Sequence, residues 1–247
     1  MRYLIASDIH GALPAAEALT TRFHEEGADR LLLLGDLLYH GPRNPLPEGY
    51  APAEVAKLLN GYADRITAVR GNCDAEVDQM VLDFPCLGDY ALVVDADTTL
   101  MLTHGHLDLS RVVAGLPAGS FVLSGHTHVK GIGPEVAPAF VKDAGAAESG
   151  SKEGAAEACP ALSAQPSVTF VNPGSIGHPK DGSASYAVWD NGTVELRPLF
   201  GGEGLTKVSP YKQNRPWNQR NAKAICLRHP STSGESQNPE IHLGEDA

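Results

Sequence analysis

Leu4-Ile5-Ala6-Ser7-Asp8-Ile9-His10-Gly11 is the stretch that decides how this chain folds: a short apolar run stops abruptly in a carboxylate and an imidazole. Leu31-Leu32-Leu33-Leu34 repeats the pattern and ends in Gly35-Asp36. Between the two, Ala15, Leu19 and Phe23 recur at helical spacing among Glu and Arg, so residues 13 to 26 form an amphipathic helix ending at Gly27. The three pieces make one βαβ unit. A second helix through Val55, Leu58 and Leu59 leads to the strand Ile66-Thr67-Ala68-Val69. Beyond it Tyr90–Val94, Leu100–Thr103, Phe121–Ser124, Val168–Val171, Ala184–Trp189 and Val194–Leu196 read as strands with little helix between them. The expected class is α/β, with two sheets packed together and helices outside.

Five polar clusters each follow an apolar strand: Asp8-Ile9-His10, Gly35-Asp36, Gly71-Asn72-Cys73-Asp74, His104-Gly105-His106 and Gly125-His126-Thr127-His128. Ligands of open α/β sheets bind beyond the carboxyl ends of strands, so distant segments can meet there. Within a strand, residues two apart point to the same face, which lets Asp8 and His10, and likewise His126 and His128, converge. The glycines allow close backbone approach. Carboxylate and amide oxygen mixed with imidazole nitrogen suits Mn²⁺, Fe²⁺, Co²⁺, Ni²⁺ or Zn²⁺ rather than Ca²⁺. The seven groups Asp8, His10, Asp36, Asn72, His104, His126 and His128 exceed the needs of one tetrahedral ion. They suit two ions sharing a carboxylate, for which Asp36 is the natural bridge. Metal pairs about 3.5 to 4 Å apart serve in-line displacement at phosphorus.

Asp8-x-His10, Gly35-Asp36, Gly71-Asn72, His104 and Gly125-His126-x-His128 resemble the calcineurin-like metallophosphoesterase superfamily in order and spacing. His40-Gly41-Pro42-Arg43-Asn44, Leu46-Pro47-Glu48-Gly49-Tyr50-Ala51-Pro52, Arg70-Gly71-Asn72-Cys73-Asp74 and Asn172-Pro173-Gly174-Ser175 look in particular like the YfcE-type bacterial phosphodiesterases. The likeness covers residues 1 to 197 apart from an insertion. It implies a four-layer fold, two β-sheets flanked by helices, with a binuclear centre that hydrolyses small phosphodiesters through a metal-bridging hydroxide. One ion would be held by Asp8, His10, Asp36 and His128, the other by Asp36, Asn72, His104 and His126. Mn²⁺ is the expected ion, with Zn²⁺, Ni²⁺, Co²⁺ or Fe²⁺ as alternatives.

Cys73 departs from the wider superfamily, where a His thought to protonate the leaving group commonly follows the Asn. Three readings stand: His106 or His40 takes that role, the enzyme uses good leaving groups, or Cys73 contacts the phosphate. Asn72, Cys73 and His106 are the catalytic candidates. His40, Arg43 and Asn44 are the candidates for substrate binding, and Asp74 for orienting ligands. His178 and Lys180 are read as exposed. A phosphomonoesterase or phosphoprotein phosphatase keeps the same chemistry and is the alternative function; a non-catalytic scaffold is a third, against which the intact ligand set argues.

Of the 247 residues 42% are hydrophobic and 20% charged, a soluble globular profile that excludes disorder of the whole chain. The net charge is −11, and because six basic but four acidic residues lie beyond Gly204, the body carries −13. That disfavours a long polyanion as partner, while two divalent ions would locally reverse the sign for a small diester. Cys73, Cys86, Cys159 and Cys226 form no disulfide framework, and no apolar run approaches the roughly 18 residues of a membrane span, so a cytoplasmic protein without a membrane partner is expected. The metallophosphoesterase domain is expected over residues 1–200, a flexible insertion over 135–165, and a loosely attached tail over 201–247. The tail's basic stretch with Tyr211 and Trp217 is the one place a nucleic acid could bind, although a solvated tail is the plainer reading. Homo-oligomers are left open.

Overall fold

In the computed structural model, residues 1–144, 167–201 and 206–208 are described. They fall within one compact unit, Met1–Tyr211; Lys212–Ala247, with most of the expected tail, lies outside the described residues, as do residues 145–166 of the expected insertion. In chain order the elements are β1 (Arg2–Ala6), α1 (Leu13–Glu25), β2 (Arg30–Leu33), α2 (Pro52–Asn60), β3 (Ile66–Ala68), α3 (Glu76–Val81), β4 (Tyr90–Asp95), β5 (Thr98–Thr103), α4 (Ser110–Ala114), β6 (Phe121–Leu123), β7 (Gly131–Ile132), α5 (Ala139–Ala144), β8 (Thr169–Asn172), β9 (Ser185–Asp190), β10 (Thr193–Pro198) and β11 (Thr206–Val208).

The strands form two mixed sheets, one ordered β11-β10-β9-β1-β2-β3 and the other β4-β5-β6-β8-β7. Side-chain alternation along β1 explains the layers. Leu4 and Ala6 pack with Leu19 and Phe23 of α1 and Val55 and Leu59 of α2. Tyr3 and Ile5 point the other way and join Leu100, Leu102, Phe121, Leu123 and Trp189 between the sheets. On the far side of the second sheet, Met101, Val122 and Phe170 meet Val113, Leu116 and Val136. Buried on both faces, the central strands must be apolar throughout, which is why they read as continuous runs. The result is the four-layer arrangement of two sheets flanked by helices. No helix among the described residues is long and apolar enough to cross a membrane.

Three local expectations are revised. The short helices α3 and α4 occupy a region that read as nearly all strand, because five or six residues are too few to display helical periodicity. The segment assigned to the insertion begins in ordered structure: Pro134–Val136 is a 3₁₀ turn, Val136 and Ala137 are buried, and α5 follows. The assigned tail also starts within the fold, since Val194, Glu195 and Leu196 of β10 pair with Val208, Lys207 and Thr206.

Candidate metal centre

The polar clusters lie beyond the ends of β1, β2, β3, β5 and β6, but they do not continue the strands. Asp8, His10, Asp36, His126 and His128 all have positive φ, at 57°, 50°, 55°, 70° and 62°. The expected same-face alternation within a strand is therefore replaced by left-handed turns. Each such residue costs about 1 to 2 kcal/mol of backbone strain, which persists where neighbouring structure enforces it. Main-chain bonds do so here. Asp8 N–H donates to Gly35 O at 3.1 Å, His10 N–H to Asp36 O at 2.9 Å and Gly11 N–H to Leu37 O at 3.0 Å, zipping the first two loops together.

The turn Asn172-Pro173-Gly174-Ser175 braces both halves of the site. Asn172 Nδ2 donates to Gly125 O at 2.9 Å and to Thr127 Oγ1 at 3.1 Å, holding the loop of His126 and His128. Ser175 Oγ donates to Asp8 O at 2.8 Å. Asp74 acts similarly but on backbone rather than on an imidazole: it accepts N–H groups of Asp36, Leu37 and Gly71 at 2.8, 2.8 and 2.7 Å. Burial raises the Asp74 carboxyl to about 6 against the pull of these donors.

Two donor sets converge. In the first, His128 Nε2 lies 3.4 Å and His10 Nε2 3.8 Å from Asp8 Oδ1, the two imidazole nitrogens are 3.3 Å apart, and Asp36 Oδ2 is 3.7 Å from His10 Nε2. In the second, His104 Nε2 lies 3.4 Å from Asp36 Oδ2 and 3.1 Å from Asn72 Oδ1, which is 2.7 Å from His126 Nδ1. Asp36 belongs to both; its other oxygen accepts the Cys73 N–H at 2.8 Å.

The donor chemistry fits divalent cations. His10 Nδ1 sits 2.8 Å from Tyr39 O, His104 Nδ1 2.7 Å from Leu34 O and His128 Nδ1 2.6 Å from His178 O. Each Nδ1–H donates a hydrogen bond to a carbonyl, so in the neutral rings each Nε2 turns a lone pair inward. Lone pairs aimed at one another and at carboxylates repel unless a cation lies among them. Asp8 Oδ1 is buried without a hydrogen-bond partner at the same place. Titration expresses the same demand: burial alone would raise Asp8 and Asp36, yet His128 and His104 respectively hold them below the usual carboxylate range. Burial alone would lower His104, yet Asp36 and Asp8 raise it to about 9.

A cavity of about 310 Å³ opens on this centre, lined by Asp36, Asn72, His126 and His128 together with Arg43, Asn44, Cys73 and Lys180. Thus the structure brings Arg43, Asn44 and Cys73 to one space with the metal candidates. It places the other two candidates elsewhere. His40 stands between Tyr39 and Tyr50, at ring distances of 4.7 and 5.2 Å. His106 packs beside His104 and His126 at 5.3 and 6.2 Å and lines a different cavity with Asp108 and Phe140. Burial and its neighbours His104 and His126 lower His106 to about 4. Burial, then Asp36, pushes the Cys73 thiol up to about 12. Cys86 is buried in the core, while Cys159 and Cys226 lie outside the described residues. Lys180, read as exposed, is exposed and also lines this cavity, a role the sequence reading did not assign; its signal was a cation five residues past Ser175.

The model of the calcineurin-like phosphoesterase superfamily domain matches residues 1–193. Phosphodiesterase YfcE of Escherichia coli K12 is 40% identical over 200 residues, which is 81% of this chain and 92% of that protein. The solved structure of YfcE, described as a phosphoesterase from E. coli, superposes with a TM-score of 0.67 at 38% identity, covering 85% of this chain and 100% of the other. The Zn²⁺ complex of Vps29 from Entamoeba histolytica shares the fold, with a TM-score of 0.50 at 17% identity over 84% of this chain and 98% of its own. With the ligand order, the layered fold and these likenesses in agreement, the chain belongs to the calcineurin-like phosphoesterase superfamily and is a hydrolase acting on phosphoesters.

Proposed function

We propose that the protein hydrolyses small phosphodiesters at a binuclear centre held by Asp8, His10, Asp36 and His128 on one side and Asp36, Asn72, His104 and His126 on the other. The observation that carries this reading is the sharing of Asp36 between two convergent donor sets at the floor of a cavity bearing Arg43 and Lys180. The phosphodiesterase name of a relative 40% identical over most of the chain supports the diester as substrate.

Two divalent cations, Mn²⁺ foremost with Zn²⁺, Ni²⁺, Co²⁺ or Fe²⁺ as alternatives, would supply a hydroxide nucleophile near neutral pH and neutralise the phosphoryl oxygens. The chain's own residues do the rest. Backbone carbonyls of Tyr39, Leu34 and His178 hold His10, His104 and His128 in the tautomer that offers Nε2. Arg43, Asn44 and Lys180 present donors to the non-bridging oxygens of the diester, and the Asn72 amide bridges His104 and His126. Cys73 lies against the substrate as a neutral contact. His106 serves as a positioning residue behind His104 and His126, and His40 as a brace for the tyrosines beside it.

The test strips metal with a chelator, restores each ion separately, and compares bis(4-nitrophenyl) phosphate with 4-nitrophenyl phosphate. Turnover of the diester with Mn²⁺, abolished in His126→Ala, is the expected result. Preference for the monoester would replace this reading with a phosphomonoesterase, and inactivity with every ion would end it.

A further inference from the structure

A second, larger space adjoins the phosphate cavity. It is an apolar groove of about 840 Å³ between α2 and α3, walled by Tyr39 and Tyr50, by Ala53 and Ala56, and by Val77 and Val81. Tyr39 is 41%, Val77 60% and Val81 48% exposed. Single exposed apolar residues are ordinary, but several lining one concavity mark a binding surface. Cys73 lines both the groove and the phosphate cavity, so the two spaces adjoin at this residue.

The two spaces divide by chemistry. The smaller carries Arg43, Lys180, Asn44 and the metal candidates, which suits a phosphoryl group but offers little wall for an organic one. The larger offers apolar walls, with Lys57, Asn60, Asp78 and Asp83 as the polar groups of its lining. His40 packs edge-on against both Tyr39 and Tyr50 and so holds their rings in place. A phosphodiester brings two organic groups to one phosphorus, and the groove begins where one of them must go.

We infer that this groove is a substrate subsite that takes one ester group of the diester and that it selects an aromatic one. The assignment rests on the phosphodiesterase reading above. Aromatic walls, continuity with the phosphate cavity through Cys73, and a volume well above that of a single ring point to an aryl or similarly flat group, in preference to a short alkyl group that would leave the walls uncovered.

The test uses the full chain loaded with Mn²⁺ and measures competitive inhibition of bis(4-nitrophenyl) phosphate hydrolysis by diphenyl phosphate and by dimethyl phosphate. These carry the same anion and differ only in the ester groups. Diphenyl phosphate is expected to bind about tenfold more tightly, a margin typical of one well-packed aromatic contact. In Ala53→Trp, which fills the groove, the ratio should collapse to about twofold or less. Val77→Asp, a change at an exposed position, replaces an apolar wall of the groove with a further carboxylate beside Asp78 and Asp83 and should lower the ratio even if the tryptophan variant fails to fold. Equal affinity of the two inhibitors for the native enzyme, or an unchanged ratio in the folded variants, would overturn the subsite while leaving the phosphodiesterase intact. Absence of diester hydrolysis with every metal is a different failure, which removes both.

Discussion

Asp74 receives the backbone N–H of Asp36 at 2.8 Å on the same oxygen that takes the N–H of Gly71 at 2.7 Å, so one buried carboxylate ties together the loops that carry Asp36 and Asn72. Neither N–H has another acceptor in a strand, because both lie just beyond the ends of β2 and β3. Replacing Asp74 with Ala removes the acceptor for these two and for Leu37 N–H. The expected cost is about 1 to 3 kcal/mol of stability for buried donors left unpaired. Metal affinity or activity should also fall about 10- to 100-fold, as is usual when the support of a ligand is lost. Chemical denaturation and Mn²⁺ titration of activity check the two effects, and an unaltered Mn²⁺ requirement would show that the brace is dispensable.

Gly71 lies against Asp36 so closely that a methyl group there would sit 2.8 Å from Asp36 Cγ and nearer still to its Oδ1 and backbone nitrogen. Gly71→Ala should therefore displace the shared carboxylate, costing about 1 to 3 kcal/mol as over-packing does. Bound metal per chain, measured by elemental analysis, should drop along with turnover. Full occupancy in a folded Gly71→Ala protein would contradict the role given to Asp36.

Metal removal should destabilise the fold, because the inward lone pairs of His10 and His128, 3.3 Å apart, lose their counter-charge. A cation bound to the native state alone adds about 2.7 kcal/mol at a hundredfold excess over Kd. For a domain of this size that corresponds to roughly 5 to 10 °C in Tm. Differential scanning fluorimetry with and without Mn²⁺ after chelation measures it. The increment should vanish in Asp36→Asn.

Away from the centre, Glu26 at the end of α1 joins three strands: it pairs with Arg2 at 2.8 Å and Arg197 at 2.5 Å and accepts the Tyr186 hydroxyl at 2.8 Å. Burial would raise its pKa, but Tyr186, Arg197 and Arg2 together lower it below the ordinary value. A depressed carboxylate contributes stability that is full above its unfolded pKa, about 4.3, and is lost as pH falls through the folded value. Glu26→Gln should cost about 1 to 3 kcal/mol near neutral pH. Urea denaturation should show the gap between native and variant closing below about pH 4. A gap that persists there would mean the carboxylate acts through packing rather than charge.

The layered fold was legible because buried strands need apolar residues on both faces and amphipathic helices need a stripe. Leu4–Ala6, Leu31–Leu34 and the Ala15, Leu19, Phe23 series display both patterns directly. The seven metal candidates were legible for a similar reason: each stands just past such a strand, in a cluster that contains or adjoins a glycine. Their types and order are properties of the chain, and they survive any change in loop conformation. What the chain could not display was how those side chains converge. Asp8 and His10 read as neighbours on one strand face, whereas left-handed turns held by Gly35, Asp36 and Leu37 carbonyls aim them. His106 and His40 had the right chemistry in the right segments, yet packing turned one toward a separate cavity and the other between two tyrosines. Lys180 is exposed as it read, yet it also borders the cavity over the metal candidates, and the apolar groove is lined jointly by residues of α2, of α3 and by Cys73. Burial and periodicity are written residue by residue, so sequence alone determined the layers and the inventory of candidate ligands. Direction, cavity and support arise between segments far apart in the chain, and only tertiary structure could decide them.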